Sequence, residues 1–507
     1  MFFRVICFVS LLLFCFCGLS HASDCRLRVY DGNNILVLNC EPAAITMSPF
    51  RVTDPAGAVW GISLVLPGTP GATKVMVAYH DSHDAAGVPT IRAVGFNFSE
   101  AVTLCEELQL IGFHKNYPPN KDYNLAGNVD CSATNPASPA HAGSLWQLGY
   151  AGRFPNGVDG IAGSGDEVLA GDPLSQAKLG GSGFMPINGS FTGTADGKNN
   201  LFDGKNKVVS NLYINRPGTE GIGFFNNIFR LTVKDFGLEN VHITGNKDVG
   251  SLAGSMSNSI ITHFYATGEV TGTEMVGGLV GVALESSTDH VYVNGQVTGT
   301  EMVGGLFGQL SRNAFLNSSY SKGSVTATIR DGGGLVGYLR GEISDSYSTA
   351  SVSVGQESAG GLVGVIAMQM GEACSINRSY ANGLITSGLR QVGGLIGRAG
   401  VCDNPLFVRD SFAATMTALV PVPHTYGVAG SDWFGDVTFP NTYWDTRSGA
   451  VQCTCTVANV CTSIPAGPGY WTNNANSPMN VWDFANTWKS LPGKYPCLQW
   501  QADASCT

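Results

Sequence analysis

Charged residues make up only 13% of this 507-residue sequence, and Lys and Arg number 28 against 38 Asp and Glu. A net charge of -10 with no basic cluster offers nothing to neutralise a row of phosphates, which argues against nucleic acid as a partner. Helical periodicity is missing from the repeated region, where apolar residues never recur every three or four positions over a helix's length. Past the amino terminus no run of about 18 apolar residues occurs, so no membrane-spanning helix is predicted in the mature chain. The glycines lack collagen spacing. No sortase-type L-P-x-T-G is present, since "LPGKY" at Leu491 does not qualify, and no Ser-His-Asp or Cys-His arrangement stands out from spacing.

What is present begins with a secretory signal: Arg4, the apolar run "VICFVSLLLFCFCGL", and a small-residue cleavage site after Ala22. Residues 1–22 are therefore predicted to be removed from a secreted or cell-surface (or periplasmic) protein. Cys7, Cys15 and Cys17 of the 14 cysteines lie in that segment, and the rest are expected to form disulfides in an oxidising compartment. Candidate pairs are Cys25–Cys40, Cys105–Cys131 and Cys374–Cys402. Five more, Cys453, Cys455, Cys461, Cys497 and Cys506, crowd the carboxyl end. No histidines stand at ligand spacing beside them, so a disulfide-pinned cap is preferred to a zinc cluster.

Glycine is abundant, at 66 residues, and it is periodic. A four-residue box recurs as "SLAG" at Ser251, "GLVG" at Gly278, "GLFG" at Gly305, "GLVG" at Gly334 and Gly361, and "GLIG" at Gly394. The spacings are 27, 27, 29, 27 and 33 residues. A second mark keeps the same period: Tyr265, Tyr292, Tyr320, Tyr347, Tyr380 and Phe412. Between the marks lie short alternating runs such as "GEVTG" and "GQVTG", which read as three short strands per repeat. So short a unit cannot bury its own apolar face and must stack on its neighbours. The arrangement that fits is a parallel β-helix with one coil per repeat, adjacent coils lying about 4.8 Å apart.

These boxes resemble the GLUG motif, named for its Gly-Leu-x-Gly box, of bacterial surface proteins. The match runs from about Phe191 to Thr415, and includes the opening segment "FDGKNKVVSNLYI" from Phe202. "NTYWDTRSGA" from Asn441 and "TWKSLPGKYPCLQW" from Thr487 are similar to the segment that follows such repeats. The resemblance implies an all-β, right-handed parallel β-helix on an exported, adhesin-like protein. Some members carry an immunoglobulin-cleaving metallopeptidase domain, which needs an H-E-x-x-H helix. This sequence has none, so that activity is not carried over.

The predicted order is a small β-rich, sandwich-like domain over 24–110, irregular capping coils over 111–185, the repeat β-helix over 186–425 and a Trp- and Cys-rich cap over 430–507. The box glycines Gly278, Gly281, Gly305, Gly308, Gly334, Gly337, Gly361, Gly364, Gly394 and Gly397 are read as turn and close-packing residues. The tyrosine row, Tyr265, Tyr292, Tyr320, Tyr347 and Tyr380, is either an outward ladder able to bind a glycan or a host protein, or a self-supporting stack or inward core. His80, Asp81, His83 and Asp84 could ligate a metal, but turn-forming Asp and Ser beside solvent-exposed His are the commoner explanation, and no metal or cofactor is assigned. Asp331, Arg340, Glu342 and Asp345 are the residues a polysaccharide lyase or hydrolase on this scaffold would draw on. Adhesion or ligand binding leads, with such an enzyme as the alternative.

Overall fold

The computed structural model describes residues 101–113, 121–155, 173–189, 199–366, 374–387, 390–400, 406–417, 425–431, 437–446, 461–464, 468–476 and 479–506, together with the backbone of four strands between 46 and 80. The signal segment, Cys25, Cys40, Cys402, Asp81, His83 and Asp84 lie outside the described residues, and of His80 only the backbone is described. The chain divides into two compact units. The first comprises 1–101, 114–116 and 148–176; the second comprises 102–113, 117–147 and 177–507.

The first unit holds a four-stranded antiparallel sheet in simple sequential order, Thr46–Ser48, Arg51–Thr53, Val59–Leu64 and Met76–His80. The second is a parallel β-solenoid of about eight turns. Each coil returns to the same place, so equivalent residues pair across coils, with the register shifting only at local bulges such as that between Gly299 and Glu301. Ile243, Val270, Val297, Val325, Val352 and Ile385 form one such inward row. Ala253, Val280, Phe307, Val336, Val363 and Ile396 form another. All are essentially buried. Apolar residues at alternate strand positions thus point into one narrow core that continues from coil to coil.

At the amino end the core is aromatic. Phe202, Phe224, Phe225 and Phe236 meet with ring centroids 4.9–5.9 Å apart, and Phe184 stacks on Phe224 at 5.7 Å. The short helix Cys105–Leu110 belongs to this end and not to the β-rich unit in which the sequence reading places it. A disulfide joins Cys105 to Cys131, and Gln109 ties the helix to the first coils. Its side chain donates to the Met185 carbonyl (2.9 Å) and accepts from the Met185 N–H (2.8 Å) and the Trp146 indole (3.0 Å). Polar bonds to a loop carry no hydropathy signal, so the sequence could not place this boundary.

The box glycines mark a tight corner, but none of those named has the left-handed conformation that glycine is uniquely free to adopt. Their constraint is space. A Cβ on Gly278, Gly305, Gly334, Gly361 or Gly394 would stand 2.0–2.2 Å from a carbonyl oxygen of the next coil. The leucine between them is buried, and its N–H bonds the carbonyl of the equivalent residue one coil on, as from Leu279 to Leu306 and Leu362 to Leu395 (both 2.9 Å). Replacing Gly334 by Ala should therefore destabilise the solenoid by about 1–3 kcal/mol or more. Gly218→Ala, where a Cβ would meet nothing within 4 Å, should change stability by less than about 0.5 kcal/mol. Denaturant unfolding of both variants tests this pair of expectations.

Candidate functional site: the tyrosine face and its cap

The tyrosines point outward because the residues on either side of each point in. Phe264 and Ala266, Val291 and Val293, Ser319 and Ser321, Ser346 and Ser348, and Ser379 and Ala381 are all buried. In register across coils, the rings then have no choice but to stack. Centroids from Tyr265 through Tyr292, Tyr320, Tyr347 and Tyr380 to Phe412 are 4.8–5.1 Å apart, with interplanar angles of 3–11°. The two readings offered by the sequence are therefore one object, an outward ladder that supports itself.

Two rows that sequence reasoning missed hold this corner. Two residues before each aromatic stands a non-glycine residue in the left-handed region: His263, His290, Ser318, Asp345, Arg378 and Asp410, with φ of 45–51°. Asp, His and Asn tolerate that conformation better than most residues, and the signal lay in the polar residue at that offset. Next comes a buried serine row. Ser319 Oγ accepts from the Val291 N–H (3.1 Å) and donates to the Asn317 carbonyl (2.5 Å); Ser346, Ser379 and Ser411 repeat the pattern at 2.7–3.2 Å. Each hydroxyl bridges a corner that the backbone ladder skips, so no buried N–H is left without a partner there.

The carboxyl-terminal segment covers the later half of the ladder. Phe412 sits against Trp471, Trp482, Trp488 and Tyr495 with centroids 5.1–6.0 Å away, and Tyr347, Tyr380 and Phe412 are buried. Gln501 exchanges hydrogen bonds with the Tyr380 hydroxyl (2.9 and 3.1 Å) and accepts from the Leu498 N–H (2.8 Å). Burial drives the Tyr380 phenol far above its ordinary range, so it remains a neutral donor. A disulfide joins Cys497 to Cys506, and the Lys489 ammonium bonds Asp503 at 2.7 Å. Cys374 and Cys461 are also disulfide-bonded. These disulfides indicate an oxidising compartment. Among the described residues no helix is long and apolar enough to cross a membrane.

The earlier half is not covered. Tyr265, Tyr292 and Tyr320 stay half-buried, and beside them runs an open groove of about 350 Å³. One wall is a second stack, His263 on His290, with centroids 5.2 Å apart and side chains 61% and 43% exposed. The other wall is the tyrosine edges, and Trp500 forms the end. Its indole N–H bonds the Asp345 carbonyl at 3.0 Å, and its ring lies 5.9–6.3 Å from Tyr347, His290 and Tyr320. Burial raises the phenols of Tyr265, Tyr292 and Tyr320. At Tyr265 the hydrogen bond to Glu239 (2.6 Å) adds to this.

The candidate carboxylates do not converge. Asp331 is 2% exposed, 3.6 Å from the Arg330 guanidinium and 3.9 Å from that of Arg398. Burial raises its pKa despite both arginines. Asp345 forms a forked pair with Arg378 (2.5 and 2.8 Å) at the tyrosine corner. Glu342 lies in register with Phe315 and Ser375, and Arg340 with Ser311, on the strand Val336–Ser344. No group of three or more metal-ligating side chains forms among the described residues.

No protein-family model matches the chain. It is 35% identical over 164 residues to halomucin of Haloquadratum walsbyi, a stretch that takes in 31% of this chain but only 2% of that protein. Among solved structures it is similar to a candidate immunoglobulin A1 protease from Bacteroides ovatus, at 15% identity and a TM-score of 0.36, with 79% of this chain and 92% of that one aligned. It is also similar to an IgA1 protease at 16% identity and a TM-score of 0.38, aligning 84% of this chain and 29% of that one. TM-scores this low carry no argument.

Gln501→Ala leaves the buried Tyr380 hydroxyl without its partner and should cost about 1–3 kcal/mol. Adding Tyr380→Phe should recover part of that loss, which a double-mutant cycle by denaturation will read as positive coupling. Asp331 gives a pH test. Its folded-state pKa lies above the unfolded value of 3.8, so the stability it contributes is full below that value and is lost as pH rises through the folded pKa. Asp331→Asn, which also tolerates the left-handed backbone, should match the parent near pH ~3 and become the more stable of the two toward pH ~7.

Proposed function

We propose that this chain is an exported GLUG-repeat display scaffold. It leaves the cell by its amino-terminal signal and binds a ligand at the cell surface or in its surroundings through the open half of the tyrosine face. The observation that carries this reading is that one continuous ladder has two fates. Its later rings hold the chain's own Trp-rich cap, while Tyr265, Tyr292 and Tyr320 remain accessible beside Trp500. Aromatic edges, imidazoles and an indole gathered in a concave, mainly apolar groove are the composition of a recognition surface.

A polysaccharide-degrading enzyme on the same scaffold would need two carboxylates facing one groove. Asp331 is buried between arginines and Asp345 is forked onto Arg378, so neither supports that reading. Binding of the fluorescently labelled mature chain to bacterial and host cell surfaces tests the proposal. Tyr292→Ala should reduce it by about tenfold or more while leaving the circular dichroism spectrum unchanged. Unaltered binding by that variant would remove the tyrosine face from the function.

A further inference from the structure

The open groove is specific enough in its chemistry to name a class of ligand. We infer that it binds the neutral pyranose units of an extended glycan. This rests on the ligand-binding role proposed above and identifies the ligand of that same site.

A pyranose has an apolar C–H face and a rim of hydroxyls, so its site must supply an aromatic face together with unengaged donors and acceptors. The tyrosine faces are taken: Tyr292 and Tyr320 each lie between two rings at 4.8–5.1 Å, and Tyr265 stacks on Tyr292 with its other side over Gly237. The ring that offers a platform is the half-buried Trp500 at the end of the groove, while His263 and His290, stacked on each other at 5.2 Å, each have one face taken. The hydroxyls of Tyr292 and Tyr320 have no hydrogen-bond partner among the described residues, unlike those of Tyr265 and Tyr380. Their raised pKa values keep both as donors at any physiological pH.

Charge selects among sugars. Asp289 lies 2.6 Å from the His290 ring and Glu239 holds the Tyr265 hydroxyl, while Asp235 is paired with Lys234 at 3.2 Å and the Lys322 ammonium stands 5.1 Å from the Tyr320 ring. The two carboxylates not paired with a lysine outnumber that one cation, which disfavours uronates, sialates and sulfated or phosphorylated chains. Strand addition by an extended peptide is disfavoured for another reason. The backbone of the groove floor is already paired from coil to coil, Phe264 with Val291, so no sheet edge is free to accept a strand. Tyr265, Tyr292 and Tyr320 stand one coil apart along the groove, which suits a polymer that presents its hydroxyls unit after unit.

Isothermal titration of the full mature chain tests the inference. The probes are hexaoses of β-1,4-, β-1,3- and α-1,4-linked glucose, of mannose and of N-acetylglucosamine, with hexagalacturonate as the anionic comparator. At least one neutral hexaose should bind, and hexagalacturonate should bind about tenfold more weakly or not at all. Tyr292→Phe, which keeps the ring stack intact, should weaken binding about threefold to tenfold through the lost hydroxyl. Trp500→Ala should weaken it more, and Trp500→Phe should restore part, separating the platform from a general disturbance of the cap. The inference is overturned if no neutral hexaose binds, if hexagalacturonate binds equally well, or if Tyr292→Phe and Trp500→Ala both leave affinity unchanged. Loss of cell-surface binding in Tyr292→Ala without any sugar binding would sink the glycan assignment and leave the display reading standing. Persistent cell-surface binding in Tyr292→Ala would sink the display reading itself.

Discussion

The close passage of one coil's backbone over the next at the glycine box fixes the geometry on which every other row depends. Where Gly278 faces the Gly305 carbonyl, and Gly305 faces that of Gly334, there is no room even for a methyl group. Coils held this tightly at one corner cannot slide or tilt against each other. Residues one period apart are therefore presented at the same angle and at strand spacing. The tyrosine ladder is the visible consequence, because its 4.8–5.1 Å ring separations are the coil spacing transmitted to side chains. Near-parallel rings at this separation lie within the centroid range that stacked aromatic pairs favour, so the scaffold's register and the rings' own attraction act together along five steps.

The inward positions adapt to that fixed spacing along the axis. Phenylalanines fill the amino end, where Phe184, Phe202, Phe224 and Phe236 close the solenoid against its capping helix. Farther on, the places flanking each tyrosine become serine, and the core there gains hydrogen bonds in place of volume. Ser321 Oγ bonds the Gly334 carbonyl (2.5 Å) and Ser348 (3.0 Å) across the coil interior. A buried hydroxyl costs little when both of its hydrogen-bonding roles are filled, and Ser319, Ser346, Ser379 and Ser411 have both filled by backbone.

Periodicity made most of this legible in the sequence. The 27-residue spacing of the boxes was enough to predict a parallel solenoid, while the small residues around each tyrosine left outward rings as one of two readings. The pairing of Cys105 with Cys131 followed from proximity in the chain, and the structure contains it. Most of what could not be read shares one physical cause, dependence on contacts distant in sequence. Tyr380 and Gln501 are 121 positions apart, and nothing in "SY" or "WQ" announces that they meet. The ion pairs that separate Asp331 from Asp345 were equally hidden, because their arginines, Arg398 and Arg378, lie on later coils. The left-handed corner is a local exception: glycine is the residue that positive φ favours most, and here the position falls to His, Asp, Ser and Arg.

The ladder also explains how three tyrosines can stand half-exposed without needing a cover. A ring whose two faces are occupied by neighbours presents to water only its edge and its hydroxyl, the part of tyrosine that hydration favours. Little apolar area is gained by extending the cap over Tyr265 and Tyr292, whereas Phe412 has no hydroxyl and draws in four aromatic side chains. The boundary between covered and open therefore falls where the small Ser318 leaves room for Trp500 beside Tyr320 and Tyr347. One step earlier His290 stands at the equivalent corner position, its ring 6.1 Å from that of Trp500. The same crowding that stops the cap creates the wall of the groove, so the end of the intramolecular interface and the start of the open site have one physical origin.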